Sequence, residues 1–369
     1  MSTSEQLQRD IQFLESTIAS ALYPRDTSAA DKEKYKGLIL DDLQNKQAQL
    51  AHFQQKEEVR DRQTQLDGMH VTDVKGRVKY AIMSVRGDEY QAVLRRFPMR
   101  TRVNGGKTIY DFSEVDTKAG KVGVAFCRTP LQGTKKAQSV ASHLIDELNP
   151  EWIFVVGIAG GFPYHEYCLG DVIVADRLHD FSVSAAYEGG GRGQDPRGGP
   201  MHRDVEKVLG YLPGMSKPDL LNWHTKKQLT VSKPSEVPPD DLDNDLYYGS
   251  PQWRESVKKC VQKGHPAGVS RIRTPKFVVG NTASSDTLVM DTNLAKQWQD
   301  TAKNVCAIEM ELAGVFEAVH DSGLNQKLVS IRGLSDIVGY KRKEEWTEYA
   351  CHTSASFVTA LILSGICEY

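Results

Sequence analysis

From Lys79 onward, short apolar runs alternate with helical periodicity, and this alternation restricts the fold more than any other feature of the chain. Tyr80–Val85, Val122–Cys127, Ile153–Val156, Val172–Val174 and Leu328–Ile331 are β-branched or apolar stretches of strand length. Helical spacing of apolar residues covers Glu89–Arg96, Thr134–Leu148, Asn293–Lys303, Glu311–Ser322 and Trp346–Ile366. Such a texture predicts an α/β fold: a three-layer sandwich in which helices cover both faces of a central mixed β-sheet. Ligands bind such sheets beyond the carboxyl ends of strands, so the residues that follow each run are the first to inspect.

Residues 1–70 read differently. Leu7, Ile11, Leu14, Ile18 and Leu22 recur at helical spacing before Pro24 and a polar break. A second, polar helix is expected over Asp31–Gln65, with Leu38, Leu43, Leu50 and Phe53 as a thin apolar seam. One weak seam does not stabilise two helices alone. The segment therefore reads as an adaptor that binds a protein partner or pairs in a homo-oligomer, with a solvated appendage as the plain alternative. The expected division is 1–70 for this segment and 71–369 for the main domain. A Gly-, Pro- and charge-rich stretch, Tyr187–Gly268, reads as an insertion or long loop within that domain.

A chain of 369 residues holds one large domain and a smaller one. The net charge of -2 argues against a general nucleic-acid binder. No apolar core follows the start MSTSEQLQRD, and no apolar run approaches the roughly 18 residues of a membrane span, so a cytoplasmic protein is expected. Six scattered cysteines without a CxxC pair read as reduced thiols. His143, His165, His179 and His202 are too dispersed to suggest a metal, and no cofactor is expected.

Four short stretches carry candidate chemistry. VVGIAGGF, Val155 to Phe162, places Gly157, Gly160 and Gly161 after a strand, but the spacing is not GxGxxG, and a structural turn is the reading that spacing favours. CAIEMELAG, Cys306 to Gly314, sets Glu309 and Glu311 around Met310 where a strand gives way to a helix. A carboxylate there can bond a sugar diol beside the soft methionine face, although singly Met310 reads as core and Glu309 as a solvated cap. In IRGLSD, Asp336 follows an apolar strand and Ser335, with an Arg332 ion pair as the plain alternative. In SVRGDEYQAVL, Glu89 begins a helix, where a carboxylate is also simply favourable.

The order of these motifs, with GDVIVAD (Gly170–Asp176) and GNTASSDTLVMD (Gly280–Asp291), resembles the nucleoside phosphorylase/nucleosidase superfamily. The resemblance covers roughly Lys79 to Cys367 and omits the N-terminal helices. It implies that Asp336 is a general acid that protonates purine N7, that Glu311 holds the ribose hydroxyls with Met310 against the sugar, and that Glu89 activates water. Arg332 matches the arginine that supports the nucleophile. The substrate-binding set it suggests also takes in Glu309, Ser335, Gly160, Gly161, Ile158, Phe181, Asp286 and Leu288, the last two from the segment similar to the family's base pocket. The phosphorylases resembled here hold phosphate with a serine and often an arginine at the glycine motif, where this chain has Ile158 and Val155. Aliphatic side chains cannot neutralise a dianion, which favours hydrolysis over phosphorolysis, with charge from Arg86 or Arg128 as the alternative. The basic run Lys341, Arg342, Lys343 and the following Trp346, Tyr349 and Ala350 look like nucleosidase domains attached to immune sensors, which act on adenine nucleotides. Lys341 and Arg342 are accordingly expected to reach the phosphates, a solvated basic turn being the plain alternative. A phosphate-dependent nucleoside phosphorylase and a non-catalytic nucleotide sensor remain the competing readings.

Overall fold

A computed structural model describes residues 10–16, 28, 32, 36, 38–50, 69–164, 166–186, 192–235, 237–264 and 273–368. The chain divides into two compact units, Met1–Asp67 with Met99–Thr101, and Gly68–Pro98 with Arg102–Tyr369. In the first unit, residues 10–16 and 38–50 are helical, and Lys46 pairs with Asp10 at 2.9 Å. Ile11 is buried, but Leu38 of the expected seam is 59% exposed. Leu7, Ile18, Leu22, Phe53 and His165 lie outside the described residues.

The second unit begins with β1 (Met69–His70), α1 (Val71–Val74), β2 (Val78–Ser84), α2 (Gly87–Leu94), β3 (Thr101–Asn104), β4 (Ile109–Thr117) and β5 (Gly120–Arg128). It continues through α3 (Thr134–Leu148), β6 (Trp152–Gly161), β7 (Val172–Asp180), β8 (Ser184–Ala186), β9 (Arg192–Gln194) and β10 (Arg197–Pro200). Then follow α4 (Arg203–Tyr211), α5 (Lys226–Leu229), α6 (Pro251–Gln262), β11 (Phe277–Ser284), α7 (Thr292–Thr301), β12 (Val305–Glu309), α8 (Leu312–Asp321), β13 (Lys327–Ile337) and α9 (Glu344–Leu363). One mixed sheet of eleven strands runs in the order β1-β3-β4-β5-β2-β6-β12-β11-β7-β10. Strand β13 pairs in parallel with β6 and antiparallel with β7. The circuit β6-β12-β11-β7-β13 therefore closes on itself, and three of its strand ends supply the site described below.

Continuous apolar runs explain the middle of this sheet. β6 and β13 are buried along nearly their whole length, as strands covered on both faces must be. α9 buries fifteen of its twenty residues, so it is a core helix rather than an amphipathic surface one.

Several expected boundaries move. VVGIAGGF is not a turn: Val155 to Gly161 remain in β6, and the strand continues because β13 and β12 pair with its glycines. Leu328–Ile331 extends to Ile337, so Asp336 lies within a strand end rather than after one. Glu89 is the third residue of its helix, not the first. β3, β4 and β11 were not expected. The Tyr187–Gly268 stretch is more than a loop, since its described residues include α4, α5 and α6. Among the described residues, no helix is long and apolar enough to cross a membrane, and all six cysteines are free thiols.

Candidate active site

Glu89 is placed by the local chain that precedes it. It stands at the third position of α2, where a carboxylate can reach back to unpaired helix-start N–H groups. Val85 N–H and Arg86 N–H donate to its Oε2 at 3.1 and 2.9 Å, and Ile158 N–H from β6 donates to Oε1 at 2.9 Å. Three backbone donors thus hold one carboxylate that is only 3% exposed. Gly157 makes this possible: a Cβ there would stand 2.4 Å from Glu89 Oε1 and 2.7 Å from Arg332 Nη1.

A second carboxylate group forms where β12 passes into α8. Glu309 accepts from Glu311 N–H at 3.0 Å and from Leu312 N–H at 2.9 Å, capping α8 from inside the protein. It also receives Arg332 Nη2 at 2.5 Å, and Glu311 lies 3.4 Å from the same nitrogen. The cap is real but it is not solvated. Arg332 is 1% exposed and pairs with Glu309 and Glu311, so the ion pair with Asp336 is not formed. β13 points successive side chains to opposite faces, and Arg332 meets the β12 end while Asp336 is re-aimed farther along. Burial pushes the Glu311 carboxyl up to about 7 against the pull of Arg332, with Glu309 and Glu89 adding to the rise.

Asp336 owes its direction to a bulge. Along β13, Leu334 faces Ala159 and Asp336 faces Gly160, which leaves Ser335 as an extra residue in the ladder. Bulges re-aim side chains in this way. Ser335 Oγ lies 2.6 Å from Asp336 Oδ1 and 3.3 Å from the Ala159 carbonyl. Burial pushes the Asp336 carboxyl above the ordinary carboxylate range, opposed by Ser335 and by Arg342, whose Nε is 4.0 Å away. Its side chain keeps 24% exposure, so proton exchange with a ligand remains open.

These groups converge on a cavity of about 320 Å³, within the size range of small-molecule sites. Of the expected residues, Glu89, Ile158, Gly160, Leu288, Glu309, Met310, Glu311, Ser335, Asp336 and Arg342 line it. Five do not. Arg332 lies buried beneath the carboxylates, and Gly161 packs against Ile337 and Leu334. Phe181 stacks on Trp298 at 4.4 Å in the core, because an aromatic ring is better covered there than at a wet cleft. Asp286 accepts from Thr134 N–H at 2.7 Å at the start of α3. Lys341 pairs instead with Asp245 at 3.1 Å, drawn aside because its N–H bonds the Leu246 carbonyl of the inserted stretch.

Sequence reasoning did not single out Gln132, Val289 or Val338 in the lining. Arg86, which directly precedes the helix of Glu89 and was weighed only as a possible source of charge for phosphate, also lines it. Val338 had no local signal: Trp253 Nε1 of α6 donates to its carbonyl at 2.7 Å, a contact across 85 residues. Among the described residues, no group of three or more His, Cys, Asp or Glu is placed to hold a metal ion. Chemically, the cavity offers one carboxyl whose proton affinity burial raises and, on other elements, carboxyl groups held by backbone N–H groups and a guanidinium.

Comparison with known proteins agrees with this architecture. The family model of the phosphorylase superfamily matches residues 79–363. A death domain-containing ATP nucleosidase of Amphimedon queenslandica is 25% identical over 297 residues, covering 78% of this chain and 48% of the relative. ATP nucleosidase Cap17 of Escherichia coli is 24% identical over 240 residues, covering 64% and 40%. A 5'-methylthioadenosine/S-adenosylhomocysteine nucleosidase of Bacillus cereus is 24% identical over 235 residues, covering 62% and 77%. The chain therefore spans less than half the length of the first two relatives. In structure, the methylthioadenosine/adenosylhomocysteine nucleosidase of Neisseria meningitidis, solved with methylthio-immucillin-A, aligns with a TM-score of 0.51 at 15% identity, over 77% of this chain and 98% of that one. The Streptococcus pneumoniae nucleosidase, solved with 8-aminoadenine, gives 0.51 at 15% identity, over 78% and 100%.

Proposed function

The chain belongs to the phosphorylase superfamily, and from that premise we propose that it hydrolyses the N-glycosidic bond of an adenine nucleotide, releasing free adenine. The observation that carries the choice of hydrolysis is the seat of Glu89. The N–H groups of Val85, Arg86 and Ile158 are the donors a phosphate would use at this end of the cleft, and a carboxylate of the chain itself already occupies them. A dianion placed there would meet a fixed negative charge and the Ile158 side chain. Water meets an acceptor.

In this reading, the bond between C1′ and N9 breaks as N7 takes the proton of Asp336. The cationic sugar that develops faces the carboxylates of Glu89 and Glu311, which stabilise positive charge in a low-dielectric site. Glu311 accepts from the ribose hydroxyls beside Met310. Water adds its oxygen to C1′ and gives one proton to Glu89. Arg332 is a positioning residue, since it sets Glu309 and Glu311 from below.

The adenine base and a phosphorylated sugar are proposed from two relatives whose names state ATP nucleosidase activity, supported by Arg86 and Arg342 at one wall of the cleft. The similarity to nucleosidase domains of immune sensors extends the reading to a defence effector that depletes nucleotides. Chromatographic release of adenine from adenosine, AMP, ADP and ATP, each with and without inorganic phosphate, tests it. Adenine and ribose phosphate without a phosphate requirement are expected. A sugar product that carries a new phosphate at C1 would establish phosphorolysis, and intact nucleotide with measurable binding would leave a sensor.

A further inference from the structure

GDVIVAD plays no part in the chemistry above, yet its first two residues reach the strand that carries Asp336. β13 pairs with β7 through Ile331, Arg332 and Gly333, the last of which faces Val172, the first residue of β7. At Leu334 the loop before β7 takes over that edge. Leu334 N–H donates to the Asp171 carbonyl at 2.8 Å, and Gly170 N–H donates to the Leu334 carbonyl at 2.8 Å. Leu334 is thus bonded to the loop on one edge and in register with Ala159 of β6 on the other, directly before the irregularity at Ser335. Side chains alternate along a strand, so where the bulge falls decides where Asp336 points.

The loop is anchored by a buried ion pair. The Asp171 carboxylate is fully buried and accepts four donors: Cys168 N–H at 2.9 Å, Lys276 N–H at 2.9 Å, and Arg273 Nη1 and Nη2 at 2.9 and 2.7 Å. The two guanidinium contacts form a planar fork, the strong geometry for a carboxylate. Arg273 Nη1 also lies 2.9 Å from Cys168 Sγ. The backbone of Arg273 is secured in turn from the inserted stretch, because Lys233 Nζ donates to its carbonyl at 2.9 Å and to that of Gly264 at 3.2 Å. Helix α9 backs the same loop. Gly170 has φ +82°, and a Cβ there would stand 2.5 Å from the Tyr349 ring and 3.3 Å from Trp346, over which Lys233 Nζ sits at 5.7 Å.

Resting on the reading of Asp336 as the acid, we propose that Asp171 and Arg273 are positioning residues for it: their ion pair fixes the loop that holds Leu334, and so sets where the bulge falls and how Asp336 is aimed. The inserted stretch takes part through Lys233. Loss of the fork leaves Leu334 with a looser edge, and Asp336 then reaches more solvent and loses part of the proton affinity that burial confers. Among the described residues, Ser335, Arg342 at 4.0 Å and, from the inserted stretch, Tyr248 face Asp336, and the change touches none of them.

The test uses the full chain with ATP and adenosine as substrates. In Arg273→Gln, kcat is expected to fall at least about tenfold while KM stays within about twofold, since a misaimed acid harms the transition state and spares the nucleoside contacts. The high-pH limb of kcat moves to lower pH, because a less buried carboxyl gives up its proton sooner. Arg273→Lys, which keeps the charge without the fork, recovers part of both. The double variant Asp171→Asn, Arg273→Gln leaves no buried charge unpaired, so it keeps most of the wild-type melting temperature and still shows the lower limb. A merely structural pair would lower the melting temperature alone: wild-type kcat and limb in Arg273→Gln, or in the double variant if Arg273→Gln does not fold, would overturn the proposal. NMR of isotope-labelled aspartate carboxyls, with the Asp336 signal assigned by Asp336→Asn, follows the same group without turnover. If the wild-type chain releases no adenine but that titration midpoint still falls in Arg273→Gln, the nucleosidase reading fails and the positioning stands. An active wild type with kcat and midpoint unmoved in Arg273→Gln overturns the positioning alone.

Discussion

Asp336 illustrates how much a single side chain's role depends on what surrounds it. A carboxyl pushed upward by burial, yet open over 24% of its side chain, can hold a proton and hand it on. Asp336→Asn keeps the shape and removes the proton, so turnover is expected to fall at least about a hundredfold at unchanged melting temperature. Since the protonated form is the active one, wild-type turnover should fall as pH rises through the raised value. A flat profile would mean that another group supplies the proton. Glu311 makes a different pH prediction. With its pKa raised from 4.5 to about 7 on folding, its contribution to stability is complete below about 4.5 and is lost as pH rises through about 7. Glu311→Gln should flatten that part of the stability curve, measured by thermal melts across pH, while it weakens ribose contacts. Glu89, Glu311 and Asp336 were singled out by the order of their motifs along the chain, and the fold brings all three to one cavity. Arg332 was legible as important, but its partner was not, since nothing local tells an arginine which of several carboxylates it will meet.

At the scale of elements, two glycines on one strand make the site. β6 reads in sequence as a strand followed by a turn; in the fold it remains extended, and the missing side chains leave room for other residues' carboxylates. A Cβ at Gly160 would stand 3.1 Å from Asp336 Oδ2, within reach of a small adjustment. One at Gly157 would collide with Glu89 and Arg332, both buried. Gly160→Ala is therefore expected to lower activity with little change in melting temperature. Gly157→Ala should lower both, with a stability loss of about 1–3 kcal/mol by overpacking. Denaturant titrations of the two variants check the contrast, and matching losses of stability would contradict it. The Ser335 bulge belongs to the same scale. A serine before an aspartate has no sequence mark as a ladder irregularity, because a bulge is a relation between two strands and only one of them is being read.

The two units of the molecule differ in how well they cover apolar surface. The main unit buries its central strands and α9 almost completely, whereas the described N-terminal residues leave Phe13, Leu38 and Leu40 at 69%, 59% and 38% exposure. We propose that a second copy or another chain covers these exposed side chains. Light scattering at micromolar concentration is expected to give at least a dimer, and deletion of residues 1–67 to weaken it; a monomer before deletion would rule out self-pairing. The sequence alone was enough for the alternation that specifies a mixed α/β sheet, because periods of 2 and 3.6 are local properties; the three carboxylates were singled out only through the order of their motifs and the family it resembles. Closure of β6, β12, β11, β7 and β13 into one circuit decided the rest. It set Arg332 beneath Glu309 and Glu311. It aimed Asp336 through a bulge and brought Val338 to the cleft. The inserted stretch sent Lys341 to Asp245 while its neighbour Arg342 faces the acid. Such pairings depend on which distant backbones come within about 5 Å of each other when the strands join, a distance that no spacing along the chain encodes.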